Sequence, residues 1–475
     1  MSSLFQQVSL SVVSATLLKI LGPGLIIYLY LLARHLRTSH PDAKPRGPPT
    51  LQEYELADSY RNIDILANAP REPTHKGYAI IGGSGFLGIY LVRLLLKRGE
   101  INIRIVDLGS PTESILSHPA VTYVKADITS PTSIRDALCK PFESTRQPPS
   151  IILHLAATIR FWDRLSYTWE STYRVNVQGT KNIIAALQAP PLAGHVRSLV
   201  YVSTGDVAIP RVKLWSFGKR RSYPWNTIRR SDSDRPLTEH QLSEGCYTRS
   251  KKIAEDLILA ANGRFGLKTG SLRPGYTIIG PNDRLISSSL HLPSVPMFDQ
   301  TFSHTDINAW DVVSTILLME DALENRPDQV AGEAFLITGR DTEAWTIGDV
   351  RRAVKHYSSK PIKLQGIPPL FILILSHIIE AFLFARYHLL LFIFRITAQK
   401  RKPSLAPSWI GQGIFLQPAT LEYFSDVIID DSRARKLLGH KPQWGMLETI
   451  KNVVDDFEAE TSGKKYGLGV EGYVS

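Results

Sequence analysis

A glycine run wedged between a strand and a helix limits this chain to few folds. Tyr78-Ala-Ile-Ile81 reads as a buried strand, and Phe86 to Lys97 as a helix with Leu91, Leu94 and Leu95 on one apolar face. Between them lies Gly82-Gly-Ser-Gly-Phe-Leu-Gly88. A tight strand-to-helix turn needs residues without Cβ, and the helix that follows turns its positive N-terminal end toward whatever enters the turn. Further strands are expected at Ile101 to Val106, Val121–Lys125, Ile151–Leu155, Leu199–Val202 and Lys268–Leu272, with helical stretches between most of them. Such alternation means a parallel, doubly wound α/β sheet of Rossmann type. Its loop, with Gly82, Gly83, Ser84, Gly85, Phe86, Leu87 and Gly88, fits a dinucleotide pyrophosphate.

The remaining cofactor signals follow from strand ends. Asp107 lies about twenty residues beyond the loop, where a carboxylate accepts from adenosine ribose hydroxyls and repels a 2′-phosphate, so NAD is expected over NADP. Asp127 and Ile128 follow the third strand and stand where an adenine would meet them. Tyr247 and Lys251 lie four apart on an expected helix, hence on one face. Free tyrosine ionises near 10, too high for a base at neutral pH. A neighbouring ammonium and a positive nicotinamide both favour phenolate, so the pair is expected to move a proton beside the cofactor. Thr204, at the end of Tyr201-Val-Ser-Thr204, offers a hydroxyl to orient an alcohol, with Ser203 the second candidate.

Length and composition set the surroundings. The 475 residues bury a core without staples, and the two cysteines, Cys139 and Cys246, with no His/Cys cluster, point to no metal site. The chain contains no Asn-x-Ser/Thr sequon, which with so few cysteines fits a reducing, cytosol-facing compartment. A net charge of +11 is spread along the chain without a nucleic-acid-binding motif, so no nucleic-acid partner is expected. Val8 to Ala33 is mainly apolar, interrupted by Lys19 and Gly22-Pro23-Gly24, and long enough to span about 30 Å of hydrocarbon. Arg34, Arg37, Lys44 and Arg46 follow it, which by charge bias keeps the rest cytosolic. A helix lying in the interface with Lys19 snorkelling is the alternative.

The expected organisation is therefore a membrane anchor over 1–37, a linker over 38–76 and a nucleotide-binding domain over 77–275 with an insertion at about 208–245. A smaller substrate-binding part over 276–455 and a tail over 456–475 complete it. Within the third part, 367–394 is oily but contains His377, Glu380, Arg386 and His388. Those ionisable groups favour a buried helix pair or an interfacial hairpin over a span, at a membrane-facing mouth for a lipophilic substrate. The insertion carries Arg211, Lys213, Lys219, Arg220, Arg221, Arg229 and Arg230 with Trp215 and Trp225. It reads either as a cover touching acidic headgroups or a carboxylated substrate, or as a solvated loop.

These stretches resemble the extended short-chain dehydrogenase/reductases, and more narrowly the 3β-hydroxysteroid dehydrogenase family. The matching segments are Ile81-Gly-Gly-Ser-Gly-Phe-Leu-Gly88, His154-Leu-Ala-Ala157, Tyr173-Arg-Val-Asn-Val-Gln-Gly-Thr180, Tyr247-Thr-Arg-Ser-Lys251, Leu272-Arg-Pro-Gly275, Ile279-Gly-Pro281, Asp306-Ile-Asn-Ala309 and Asp431 to Gly439. Ile81 stands where the family usually has Thr, and Thr204 where Ser is commoner. The resemblance implies Tyr247 as base, Lys251 as its activator, Thr204 as hydroxyl partner, and the glycines with Asp107, Ala156 and Pro274 in the NAD site. It also places Asn176 in the active-site framework. Anchor and oily segment are similar to microsomal steroid enzymes and sterol-4-carboxylate 3-dehydrogenases. The activity so implied is oxidation of a 3β-hydroxyl on a sterol or triterpenoid at the endoplasmic reticulum membrane, with loss of a C4 carboxylate where one is present. A dehydrogenase/Δ5-isomerase, a nucleotide-sugar epimerase and a non-catalytic NAD-binding scaffold remain as alternatives, and a homo-oligomer is left open.

Overall fold

Seven parallel strands form the centre of the computed structural model: β1 Tyr78–Ile81, β2 Ile103–Asp107, β3 Val121–Lys125, β4 Ile151–His154, β5 Ser198–Val202, β6 Lys268–Pro274 and β7 Glu333–Ile337. They lie side by side as β7-β6-β5-β4-β1-β2-β3. The structure describes residues 19, 21–39, 43, 45–211, 215, 227–231, 236–283, 286–341, 343–422 and 425–460. Strand order reverses between β1 and β4, whose registers pair Ile81 with His154. In open α/β sheets that switch point opens a crevice at the strand C-termini, where ligands sit.

Both sheet faces are covered, so the strands read as continuous apolar runs rather than alternating ones. One face packs on helices α1 (Phe86–Arg98) and, later in the chain, Ala309–Asn325, burying Leu91, Leu94, Leu95, Val312 and Ile316. The other face packs on Pro131–Cys139, Gly179–Leu187 and α2 (Cys246–Ala260), with Ile134, Ile183 and Ile258 inside. The helix Ala309–Asn325 and strand β7 belong to this sheet domain. The boundary expected at residue 275 is therefore too early, because the sheet takes its last strand from beyond it.

The expected linker also differs. Thr50 and Glu53 form a reciprocal capping box at Leu51–Leu56. The Tyr60 hydroxyl donates to Asp455 at 2.7 Å on the C-terminal helix, and the Thr74 amide donates to Glu100 at 2.7 Å. Ala57 and Tyr60 are buried, so residues 50–76 are strapped across the domain rather than tethered loosely to it.

The oily segment is one continuous helix of 28 residues, α3 (Pro369–Ile396), not a helix pair or a hairpin. Its buried positions Ile372, Leu373, Ser376, Glu380, Leu383 and Tyr387 recur at helical spacing and form one stripe. Glu380 faces the protein and accepts two bonds from the Arg164 guanidinium, each at 2.7 Å. The outer face leaves Phe371, Ile374, Ile378, Phe382, Leu389 and Phe392 exposed. Of the ionisable groups on this segment, Glu380 sits on the stripe turned inward, whereas His388 is exposed. Among the described residues, α3 is the one helix long and apolar enough to cross a membrane, by length and composition.

Of the expected anchor, residues 1–18 and 20 lie outside the described residues. Residues 21–35 are helical straight through Gly22-Pro23-Gly24. Leu32 is buried against Ile372, Leu373 and Leu421, while Leu21, Leu25, Ile26 and Ile27 are exposed. In the insertion, Lys213, Lys219, Arg220, Arg221 and Trp225 lie outside the described residues. Trp215 is described, and its indole donates to His377 on α3 at 2.8 Å. The strand Thr227–Ser231, which holds Arg229 and Arg230, pairs in parallel with Val427–Asp430. Residues 461–475 of the expected tail are also outside the described set.

Candidate active site

The crevice is built from the ends of β1, β2, β4, β5 and β6. Gly82 leaves β1 with φ of 87°, a left-handed conformation natural to glycine alone, and a Cβ there would sit 2.6 Å from the Ala156 amide nitrogen. Ala156, whose amide donates to the Ile81 carbonyl at 2.9 Å, thus floors the loop just after β4. A Cβ on Gly88 would overlap Gly82 and Gly83, so this glycine seats α1 against the loop. Gly83 is tight against Ile105 and the Ile80 carbonyl, each 3.0 Å from a would-be Cβ.

Gly85 is different. It caps α1, and among the described residues a Cβ there would meet only the Gly82 carbonyl, at 3.3 Å. Internal packing gives little reason for glycine at this position. Close backbone approach by a pyrophosphate, at a helix end bearing free amides, does. Phe86 and Leu87 start the helix and pack partly buried on the core. Ser84 donates its amide to Asp107 at 3.0 Å and its hydroxyl to the Gly109 carbonyl at 2.6 Å. That contact brings the β2-end carboxylate beside the glycine loop, as a ribose ligand requires. These residues fit a dinucleotide.

Asp127 and Ile128 follow the C-terminal end of β3. Asp127 accepts from the Thr129 amide at 2.8 Å in a local turn, and Ile128 is buried against Gly179. Their visible contacts are structural ones next to β3. Pro274 closes β6, and its carbonyl would lie 2.7 Å from a Cβ on Gly205, so a glycine lets the β5 loop pass close by.

Tyr247 and Lys251 both lie on α2, turned toward the end of β5. Lys251 is fully buried, donates to the Val202 carbonyl at 2.6 Å and stands 4.1 Å above the Tyr201 ring. Burial, partly offset by Glu255, pulls its ammonium down to about 7. Glu255, one turn on, is itself held by Arg273 at 2.8 Å and Ser271 at 2.7 Å. His154, buried beneath Tyr201, is kept neutral by burial and then by Lys251, which lower it to about 3.

At Tyr247 the protein's own groups act mainly against phenolate. Burial and then the negative charge of Asp206 push the phenol well above its ordinary value, with the Thr204 hydroxyl acting in the opposite direction. Thr204 caps the turn Gly205–Ala208 and donates to Asp206 at 3.0 Å. Ser203 is buried, and its hydroxyl has no hydrogen-bond partner among the described residues. Asp206 was missed in the sequence, although its place two residues after a strand-end hydroxyl was a usable signal.

Asn176 sits in a single π-helical turn, Arg174–Gln178, a distortion frequent at functional sites. Its amide accepts from the Thr158 amide at 2.8 Å and donates to the Thr158 carbonyl at 3.0 Å and Ser250 at 2.9 Å. One side chain thereby ties the segment after β4 to α2. Asp163 adds a second tie by accepting the Cys246 amide at 2.6 Å, at the first residue of that helix.

Comparison with known proteins adds the following. Residues 79–341, more than half of the chain, match the model of the 3-beta hydroxysteroid dehydrogenase/isomerase family. A 3beta-hydroxysteroid-dehydrogenase/decarboxylase, isoform 2, of Arabidopsis thaliana is 26% identical over 414 residues, 82% of this chain and 64% of that relative's length. The chain therefore spans less than two thirds of it. A decarboxylating sterol-4-alpha-carboxylate 3-dehydrogenase of Candida albicans is 25% identical over 393 residues, 79% of this chain and 96% of that protein. Among solved structures, the UDP-glucose 4-epimerase of Thermus thermophilus in complex with NAD superposes with a TM-score of 0.52 at 20% identity, covering 80% of this chain and 98% of that one. That likeness concerns the fold.

Two outcomes follow from this geometry. Gly82→Ala is expected to destabilise the fold by about 2–4 kcal/mol through left-handed strain and overlap with Ala156. Gly85→Ala is expected to cost about 1 kcal/mol of stability through a poorer N-cap yet weaken NAD binding at least tenfold, which calorimetric titration beside thermal unfolding separates. For Lys251, the unfolded state keeps its proton up to about 10.4 while the folded state loses it near 7. Between those values the unfolded chain binds more protons, so stability gained from this residue rises with pH. Against Lys251→Met, the wild-type Tm should improve from pH 7 to pH 10.

Proposed function

We propose, for a chain that belongs to the 3-beta hydroxysteroid dehydrogenase/isomerase family, oxidation of a 3β-hydroxyl on a sterol or triterpenoid to the ketone. The observation that carries this reading is the meeting of Tyr247, Thr204 and Lys251 at the end of β5, one crevice with the glycine loop. NAD, held by Gly82, Gly85, the α1 amides and Asp107, supplies the hydride acceptor. Tyr247 takes the hydroxyl proton, Thr204 orients the alcohol oxygen, and Lys251 holds the nicotinamide ribose. Ser203 offers its buried hydroxyl beside them.

Where the substrate carries a C4 carboxylate, oxidation at C3 makes a β-keto acid. The new ketone then takes up the electrons of the breaking C–C bond and carbon dioxide leaves. The names of the Arabidopsis and Candida relatives support this decarboxylating outcome. Lipophilic substrate and membrane go together. The outer face of α3 and the helix over 21–35 converge where Leu32 packs on Leu373, and both leave apolar side chains exposed. We assign the helix over 21–35 to the single-pass anchor and α3 to a helix lying on the membrane, together seating the catalytic domain on the cytosolic face of the endoplasmic reticulum.

The test uses full-length protein in detergent with NAD and a panel of 4-carboxysterols, Δ5-steroids and triterpenoid acids. NADH formation with loss of carbon dioxide from a 4-carboxysterol is expected, and Tyr247→Phe should lower turnover by about 100-fold or more while retaining NAD binding. Binding of NAD with no turnover of any member contradicts the reading.

A further inference from the structure

The outer side of α3 is ordered as well as oily. Ile378, Phe382, Ala385, Leu389, Phe392 and Ile396 are all exposed and follow one another at steps of three or four. At about 100° per residue they form one apolar line down the helix. Arg386 comes one residue after Ala385 and Arg395 one before Ile396, so the two flank that line on opposite edges. A spanning helix would carry Arg386, about 15 Å from the helix end, into hydrocarbon at high cost. A helix that lies flat sinks the line and holds both edges at headgroup level.

The chain beyond α3 extends the same surface. Arg386 donates to the Ser404 carbonyl at 2.9 Å and to the Ser404 hydroxyl at 3.0 Å, folding the following segment back along the helix. That segment leaves Lys400 and Arg401 exposed, with Arg401 over the Phe394 ring at 5.2 Å. It then sets Trp409, 74% exposed, near Phe382 with ring centroids 5.8 Å apart. An indole has an apolar body and one donor, which suits the polar boundary of a membrane. Charge along the stretch has one sign. Between Glu380 and Glu422 the sequence holds five Arg and Lys and no Asp or Glu. Among the described residues Lys402 pairs with Glu170 at 3.5 Å, whereas Arg395, Lys400 and Arg401 have no acidic partner.

We propose that this surface docks on anionic phospholipid, with Arg395, Lys400 and Arg401 binding acidic headgroups while the line from Ile378 to Ile396 enters the acyl boundary. This deepens the membrane seating given above and rests on it, adding the lipid class and the residues that select it. A zwitterionic headgroup returns no net charge to an acid-free basic strip, and an anionic one does. A second copy of this chain would bring one such strip against another, and like charges oppose that pairing. The seating also reaches the crevice. Glu380, on the inward side of α3, is held by Arg164, and the adjacent Asp163 accepts the first amide of α2. Lipid that holds α3 therefore bears on the loop that positions the catalytic helix.

The test reads lipid contact at Trp409 in full-length protein reconstituted in phosphatidylcholine vesicles. Part of the lipid is replaced by acyl-brominated phosphatidylserine or, in parallel, by acyl-brominated phosphatidylcholine, each of which quenches adjacent indoles. The Trp409 signal is wild type minus Trp409→Phe. Each cation near an anionic surface is worth about a fivefold preference, so phosphatidylserine should be favoured at Trp409 by about fivefold or more. R395Q/K400Q/R401Q should bring that preference to within about twofold, and R395K/K400R/R401K should keep it. Raising salt from about 0.05 to about 0.5 M should weaken it in wild type. Equal quenching by the two lipids in wild type overturns the anionic site and leaves the membrane seating. An undiminished preference in R395Q/K400Q/R401Q also overturns the site, because the selectivity then lies elsewhere. No quenching of Trp409 by either lipid, in protein that floats with the vesicles, removes α3 from the bilayer and overturns its seating together with the site. The readout involves no turnover, so it is independent of the dehydrogenase reading.

Discussion

Everything chemical in this protein depends on how Lys251 is buried. Its ammonium reaches the Val202 carbonyl at the last residue of β5 and rests over Tyr201, so α2 is fixed against that strand end. Tyr247, one turn earlier on the same helix, is thereby held next to Thr204, two residues beyond the strand. Burying a cation is costly unless polar groups compensate. Here the compensation is a carbonyl, an aromatic face and Glu255, which is in turn held by Arg273 and Ser271. The catalytic spacing is an outcome of that arrangement, reinforced by Asn176 and Asp163 from the loops after β4.

The same crevice joins two glycine roles. Gly82 and Gly88 are needed by the protein itself, since backbone conformation and contact with Ala156 and Gly83 leave no room. Gly85 is under a lighter demand, the 3.3 Å approach to the Gly82 carbonyl, and close approach of a phosphate accounts for the rest in our reading. Distinguishing them shows that the loop is built both to fold and to receive a ligand. The oily helix α3 answers a different demand. Its inward stripe brings Glu380 to Arg164, and its outer face remains for a nonpolar phase.

Much of this was legible before any coordinates. Runs of Ile, Val and Leu between glycines marked six of the seven strands, and the i, i+4 spacing put Tyr247 and Lys251 on one face. The seventh strand, Glu333–Ile337, escaped because it lies after a long helix in what read as a separate part. Residues 50–76 read as a linker because their prolines and charges hide a capping box and the contact of Tyr60 with Asp455. Asp206 escaped because a carboxylate after a strand reads as a turn residue. Its charge bears on Tyr247 only because the fold sets the two side by side. Burial and Asp206 both raise the Tyr247 phenol, an influence that the i, i+4 spacing does not display.

The central claim is that the strand-end crevice removes a hydride from C3 of a sterol-like alcohol. The most direct measurement supplies a 4-carboxysterol deuterated at C3 together with NAD and analyses cofactor and product by mass. The account predicts one deuterium in the reduced cofactor, none in the ketone at C3, and carbon dioxide released in equal amount. Deuterium retained at C3, or lost to solvent rather than to the cofactor, would contradict it.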